Sequence, residues 1–121
     1  MYVITKQFGF EASHRLDHLP PSHKCSRWHG HSYTVELVLE SAELNEDGFV
    51  RDYGELEPFK SFVDEKLDHR NLNDVVPGVT SAENIARWLY DFASSLWPEV
   101  TAVRVSETQK TWAEYRPDRR P

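Results

Sequence analysis

Two stretches of this chain alternate apolar and polar residues with a period of two, and this alternation most constrains its fold. The first covers residues 2–14 and the second covers residues 29–39. Such alternation places successive side chains on opposite faces of a strand, so each stretch predicts a long strand with one apolar face. The apolar face of the first strand carries His14, and that of the second carries His29 and His31.

Helical spacing of apolar residues follows the second strand. A turn at residues 45–48 and a short strand at 49–51 lead to Asp52. Asp52 and Glu55 form a pattern like a capping box, which predicts the start of a helix. The apolar stripe of this helix extends over residues 56–67.

A second helix is predicted after a loop at residues 68–79. Thr80 and Glu83 have the spacing of its N-terminal cap, its apolar stripe continues to Leu96, and Pro98 ends it.

Two further strands are predicted, one containing residues 103–107 and the other residues 111–116. The resulting order is ββααββ, which predicts one two-layer α+β domain with an antiparallel sheet over residues 1–121. Such a small sheet has two open edges, and a closed assembly of several copies would cover them.

The three histidines predict a metal site. His29 and His31 point to one face of their strand, and Gly30 between them leaves space. With His14 at the end of the neighbouring strand, they supply three nitrogen ligands, which is how catalytic Zn²⁺ is often held with a fourth position open. The alternative is a pair of hydrogen-bonded surface histidines; His18 and His23, in the intervening loop, are expected to face solvent.

The single cysteine, Cys25, allows three interpretations. It could be a fourth zinc ligand, a buried inert thiol, or a working thiolate. Lys24 and Arg27 flank it, and nearby positive charge favours the thiolate.

Two carboxylates suggest further site residues. Asp68 could orient the neighbouring His69 for proton transfer, or His69 could simply end a helix. Glu107 shares a strand face with two valines, so its carboxylate needs hydrogen-bond donors to offset the cost of burial. A ligand with two adjacent N–H groups could supply them, and so could Arg104 or Arg116.

Composition excludes several function classes. The formal net charge is −6, which disfavours general nucleic-acid and membrane-surface binding. One cysteine cannot form the paired Cys/His ligands of a zinc finger. The absence of a membrane span, of a signal-peptide core and of any internal disulfide leads us to expect a cytoplasmic protein.

In combination, these motifs resemble the 6-pyruvoyl-tetrahydropterin synthase family over nearly the whole chain, and within it the carboxy-forming branch. The motifs are Phe10 to His14, Cys25 with the His29-Gly30-His31 triplet, Leu67-Asp68-His69 with Leu72-Asn73-Asp74, Thr80 to Asn84, and Glu107-Thr108.

The resemblance implies the tunnelling fold, in which the sheets of several subunits join into a barrel, commonly as trimers stacked into a hexamer. It also implies zinc bound by the three histidines and Cys25 acting as a base. Asp68 with His69 would form a proton-shuttling pair. Glu107, with Thr108 beside it, would anchor the pterin ring.

The implied substrate is 7,8-dihydroneopterin triphosphate, with Zn²⁺ as a Lewis acid. Only three residues separate Cys25 from His29, and this short spacing favours the carboxy-forming branch, which feeds queuosine or 7-deazapurine synthesis. Lys24 and Arg27, with a basic tail at Arg119 and Arg120, could bind the triphosphate. A pyruvoyl-forming enzyme of biopterin synthesis and a non-catalytic, zinc-stabilised pterin-binding module are the alternatives.

Overall fold

The structure, a computed structural model, describes residues 1–118, and these form five strands and two α-helices. The elements, in chain order, are β1 (Tyr2–His14), β2 (His29–Ser41), α1 (Glu57–Lys66), β3 (Arg70–Asn71), α2 (Ala82–Leu96), β4 (Val100–Thr108) and β5 (Thr111–Tyr115). The predicted ββααββ order is therefore confirmed, with the two-residue strand β3 added between the helices.

The five strands form one sheet in the order β3-β1-β2-β4-β5. β1 and β2 pair antiparallel along their whole length, from Tyr2 opposite Ser41 to His14 opposite His29. β2–β4 and β4–β5 are also antiparallel, and only the short β1–β3 pair is parallel. The predicted antiparallel sheet is thus correct except at β3.

Both helices pack on one face of this sheet. The alternation in β1 buries Phe8, Phe10 and Ala12, and the matching positions of β2 bury Val35 and Leu37. These side chains join the apolar stripes of α1 and α2 in one core, which confirms the two-layer α+β class. No helix within residues 1–118 is long and apolar enough to cross a membrane.

The opposite face of the sheet carries a chain of ion pairs. Arg104 bonds to Glu36 (2.5 Å) on one side and Glu114 (2.6 Å) on the other. Arg116 then joins Glu114 (3.3 Å) to Glu40 (3.1 Å). The sheet therefore has one apolar face, towards the helices, and one polar face.

The segment before α1 differs from the sequence prediction. Residues 49–51 form no strand, because the N–H of Phe49 bonds to the side chain of Asn45 instead of a neighbouring strand (3.0 Å). Asp52 does cap, but it caps a 3₁₀ turn over Tyr53–Leu56, and α1 begins only at Glu57.

The start of α2 also differs by one residue. Its N-cap is Ser81, whose hydroxyl accepts the N–H of Asn84 at 3.3 Å. Thr80 is fully buried and its hydroxyl bonds elsewhere, so the predicted capping role of Thr80 is wrong. The predicted end is correct, since α2 stops at Leu96 and Pro98 follows.

Strand β3 lies in the segment that the sequence predicts to be a loop. It follows His69, whose φ of +58° is in the left-handed region that non-glycine residues seldom adopt. The N–H of His69 donates to the carbonyl of Glu11 in β1 at 2.6 Å. This reversal brings Arg70 and Asn71 alongside Ala12 and Ser13, a long-range contact that local periodicity cannot reveal.

The core position of α2 predicts a large difference between two leucines of the same helix. Leu89 is fully buried and Leu96 is 42% exposed. We expect Leu89→Ala to lower the free energy of unfolding by about 2–5 kcal/mol, because it leaves a cavity, and Leu96→Ala to lower it by less than about 1 kcal/mol. Urea unfolding measures both values; equal losses would contradict the helix orientation.

Candidate metal centre

The pairing of β1 with β2 brings three histidines together at one end of the sheet. His14 lies directly opposite His29, and His31 is two residues further along β2, opposite Ala12. The three ring centroids are 4.6 to 5.2 Å apart. One nitrogen from each ring lies within 4.8 Å of the other two, which is close enough for all three to bind one ion.

Backbone carbonyls orient two of the rings. His14 Nδ1 lies 2.8 Å from the carbonyl oxygen of Thr80, and His29 Nδ1 lies 2.7 Å from that of Arg27. A carbonyl can only accept, so Nδ1 carries the hydrogen in both rings and Nε2 keeps its lone pair. This is the usual outer-shell arrangement of metal-binding histidines.

The ring nitrogens that face inward are buried and have no partner in hydrogen-bond geometry within residues 1–118, although a carboxylate oxygen of Glu107 lies 2.9 Å from that of His31. These are Nε2 of His14 and Nε2 of His31. Burial is the main reason why the pKa values of His14 and His31 are lowered, although the nearby charge of Glu107 acts in the opposite direction. Both rings therefore favour the neutral form, which is the form that binds a metal.

The residues present fit a bound cation. Unpaired buried nitrogens are unfavourable, and a metal ion would satisfy them. Three imidazoles suit Zn²⁺ and several other transition metals, and three ligands leave a fourth position open for water or substrate. Within residues 1–118, the side chains placed close enough together to hold one ion are these three histidines, and Cys25 is not among them.

A cavity of about 450 Å³ opens beside the histidines. Four of the candidate residues line it together with two of the histidines. The lining consists of Lys24, Cys25, His29, His31, Glu107, Thr108 and Thr111. Arg27 is exposed and is not part of that lining. Arg119 and Arg120 lie outside the described residues.

Glu107 lies against the histidines. Its Oε2 is 2.9 Å from His31 Nε2 and 3.6 Å from His14 Nε2. Arg104 and Arg116 bond to other carboxylates on the opposite face of the sheet. The alternative that Glu107 pairs with one of these arginines is therefore wrong.

Asp68 and His69 form a pair beside the outer edge of β1. Asp68 Oδ2 lies 2.9 Å from His69 Nδ1, and Asp68 Oδ1 accepts the N–H of Glu11 at 2.8 Å. The hydrogen bond from Glu11 is the main reason why the pKa of Asp68 is held below its usual value, and the one from His69 acts in the same direction. An ionised Asp68 orients His69, whose side chain is 79% exposed and whose Nε2 is left to exchange a proton.

Within one chain, His69 and Cys25 line different cavities. His69 borders a cavity of about 580 Å³ with Glu11, Ser32 and His31, whereas Cys25 borders the smaller one. His31 is the one residue that lines both of these cavities. The structure therefore brings Cys25 and Glu107 to the histidines, but it does not bring the Asp68–His69 pair into the same cavity.

Two residues at the site were missed by sequence reasoning. Thr80, interpreted as a helix cap, orients His14 through its carbonyl. Tyr33, two residues after His31, is 2% exposed and its hydroxyl has no hydrogen bond within residues 1–118. Burial, with the charge of Glu107, raises its pKa, so the phenol stays protonated. Tyr33 could have been found, because it lies on the same apolar strand face as His31. No local sequence pattern indicates that the carbonyl of Thr80 contacts His14.

The geometry predicts that each histidine of the cluster is needed for metal binding. We expect His29→Ala to weaken Zn²⁺ binding by more than about 100-fold, because losing a direct ligand costs more than losing an outer partner. His18→Ala, which removes an exposed loop histidine, should bind Zn²⁺ like the unmodified protein. Competition with a chromophoric chelator measures both affinities; similar values for the two variants would contradict the site.

Comparison with known proteins agrees with this architecture. The family described as 6-pyruvoyl tetrahydropterin synthase matches residues 3–118. A 6-carboxy-5,6,7,8-tetrahydropterin synthase of Synechocystis sp. is 36% identical, over 95% of this chain and 93% of that protein. A 6-pyruvoyl tetrahydrobiopterin synthase of Dictyostelium discoideum is 33% identical, over 94% and 95%.

A solved structure supports the same assignment. The 6-pyruvoyl tetrahydropterin synthase of Caenorhabditis elegans superimposes with a TM-score of 0.85 at 26% identity, covering 97% of this chain and 96% of that one. With the family match and the two relatives, this likeness extends over nearly the whole chain. The chain belongs to the 6-pyruvoyl tetrahydropterin synthase family.

Proposed function

We propose that this protein is a zinc-dependent 6-carboxy-5,6,7,8-tetrahydropterin synthase. It would convert 7,8-dihydroneopterin triphosphate and water to 6-carboxy-tetrahydropterin, acetaldehyde and triphosphate, for queuosine or 7-deazapurine synthesis. The observation that carries the proposal is the convergence of three histidines beside a cavity that also holds Cys25 and Glu107. Relatives named 6-carboxy-tetrahydropterin synthase support this choice of product.

The metal in this proposal is Zn²⁺ held by His14, His29 and His31. Zinc would supply Lewis-acid chemistry, which makes proton removal next to a bound oxygen easier. The neutral rings and the two oriented Nδ1–H groups favour this role. Because both hydrogen bonds go to backbone carbonyls, the orientation of His14 and His29 does not depend on a titrating partner.

Glu107 is the proposed anchor for the pterin. The 2-amino-pyrimidinone edge of a pterin offers two adjacent N–H groups, and a carboxylate accepts such a pair in bidentate fashion. Glu107 is one-quarter exposed at the cavity, and no arginine competes for it among its contacts in residues 1–118. Thr108, next along β4, borders the same cavity and would contact the ring.

Cys25 and the Asp68–His69 pair are the proposed proton carriers. Cys25 is half-buried in the cavity wall and would take a proton from the substrate side chain as a base. His69, oriented by the carboxylate of Asp68, would return a proton. Lys24, which is exposed at the same cavity, is the better candidate for binding the triphosphate; Arg27 would act from outside the cavity lining.

The separation of Cys25 from His69 supports a site shared between subunits. The outer edge of β1 before Ala12 and the outer edge of β5 carry no strand partner within residues 1–118, and unpaired edges favour pairing with another chain. Closure into a barrel, as a trimer or hexamer, would cover both edges. His69 of one subunit would then complete the cavity that holds Cys25 of the next.

The reaction itself is tested with purified, zinc-loaded protein and 7,8-dihydroneopterin triphosphate. We expect mass spectrometry to detect 6-carboxy-tetrahydropterin and acetaldehyde. A pyruvoyl product would instead favour the biopterin branch, to which the Dictyostelium relative is assigned by name. Tight pterin binding without turnover would favour a non-catalytic binding module. We also infer a cytoplasmic location, because a single unpaired cysteine is typical of proteins in a reducing compartment.

The shared site makes a quantitative prediction about mixed oligomers. Cys25→Ala and His69→Ala should each be inactive alone, because each removes one proton carrier from every site. Co-expressed with different tags and purified for both, they should recover about a quarter to a third of the unmodified activity. Each site draws one residue from each of two chains, so one site in three is intact in a mixed trimer and about one in four in a randomly mixed hexamer. Mixed oligomers that stay as inactive as the single variants would contradict a site formed between subunits.

A further inference from the structure

The turn that carries Cys25 is held by a histidine side chain. Residues Lys24–Ser26 form one turn of 3₁₀ helix, and His23 is its N-terminal cap. His23 Nδ1 accepts the backbone N–H of Cys25 at 3.0 Å. The carbonyl of His23 accepts both the N–H of Ser26 (3.0 Å) and its hydroxyl (2.8 Å). His23 therefore bonds to the turn at three points.

The other backbone group of Cys25 is fixed from a different direction. The carbonyl of Cys25 accepts the N–H of Leu16 at 2.7 Å, and Leu16 is only two residues after the metal-site residue His14. With its N–H bonded to His23 and its carbonyl bonded to Leu16, the backbone of Cys25 has both polar groups paired. The thiol of Cys25 thereby remains at the cavity wall, near His29 and His31.

An imidazole is an unusual group for this task. Helix caps are normally Ser, Thr, Asn or Asp, whose side-chain oxygens accept the N–H groups of the first turn. A histidine can accept only through an unprotonated nitrogen, so the ring of His23 must be neutral with its hydrogen on Nε2. The ring is exposed, which agrees with the sequence expectation for His23, yet it makes a specific contact that exposure alone does not suggest.

We propose that His23 is a positioning residue for Cys25: its ring Nδ1 holds the turn so that the thiol faces the cavity beside the three histidines. The hydrogen bonds of the turn do not depend on what the protein catalyses. The consequence for catalysis rests on the proposed function, in which Cys25 takes a proton from the substrate. His23 belongs neither to the histidine cluster nor to the cavity lining, and it contacts the lining through the turn of Cys25, so its effect must pass through Cys25.

Two substitutions separate the hydrogen bond from the imidazole. His23→Ala removes the acceptor, whereas His23→Asn keeps a side-chain oxygen that can accept the N–H two residues ahead. The matched control is His18→Ala, which removes an exposed histidine from the same loop. Because Cys25 is the only cysteine, alkylation by iodoacetamide reports on this thiol alone.

We expect His23→Ala to increase the alkylation rate of zinc-loaded protein about three- to tenfold, because the half-buried thiol leaves the cavity wall when the turn loosens. In the same variant, kcat for 7,8-dihydroneopterin triphosphate should fall about tenfold, with KM and zinc content within about twofold of the unmodified protein. His23→Asn should restore most of both values, and His18→Ala should change neither.

Alkylation of His23→Ala at the unmodified rate would overturn the proposal. Equal defects in His23→Ala and His23→Asn would also overturn it, because the imidazole itself and not the cap would then matter. The alkylation series uses no substrate, so it decides the role of His23 even if the unmodified protein fails to turn over the pterin. That failure would count against the proposed function alone.

Discussion

The candidate site depends on the register between β1 and β2. His14 lies directly opposite His29, and the period of two then places His31 on the same face. A shift of one residue would turn the histidines of one strand to the opposite face and disperse the cluster. The buried side chains of Phe8, Phe10, Val35 and Leu37 stabilise this register, since the same shift would expose them. The core thus positions the three histidines of the candidate site.

Much of this arrangement could be predicted from the sequence because it is periodic. The alternation in residues 2–14 and 29–39 predicted both strands and the shared face of the three histidines, and the helical stripes predicted α1 and α2. Glu107 was also noticed because a carboxylate is unexpected beside Val103 and Val105. The strands and helices were predicted because their apolar residues agree with a local pattern, and Glu107 was noticed because it breaks one.

The remaining features depend on contacts between distant segments. Thr80 has the sequence signature of a cap, but its carbonyl bonds to the ring of His14, 66 residues away. β3 exists because the turn at His69 bonds to Glu11, across 58 positions of chain. His23 was expected to face solvent, and it does, but its ring also fixes Cys25. No local pattern encodes these pairings.

The site residues of one chain form two separate groups. The histidines, Cys25 and Glu107 gather where β1 and β4 end and β2 begins, whereas Asp68 and His69 are held against the edge of β1 by hydrogen bonds to Glu11. That division fits a protein whose sheet edges need a partner: the interaction that closes an assembly would also complete the site. Stability and catalysis would then depend on the same interface.

We propose that three imidazoles of this chain hold the metal without the thiol of Cys25. Zinc K-edge X-ray absorption of the loaded protein tests it most directly, because it reports the type and distance of the ligand atoms. We expect three nitrogen ligands at about 2.0–2.1 Å and a light atom in the fourth position. A sulfur ligand at about 2.3 Å would make Cys25 part of the metal site and contradict both its role as a base and the purpose assigned to His23.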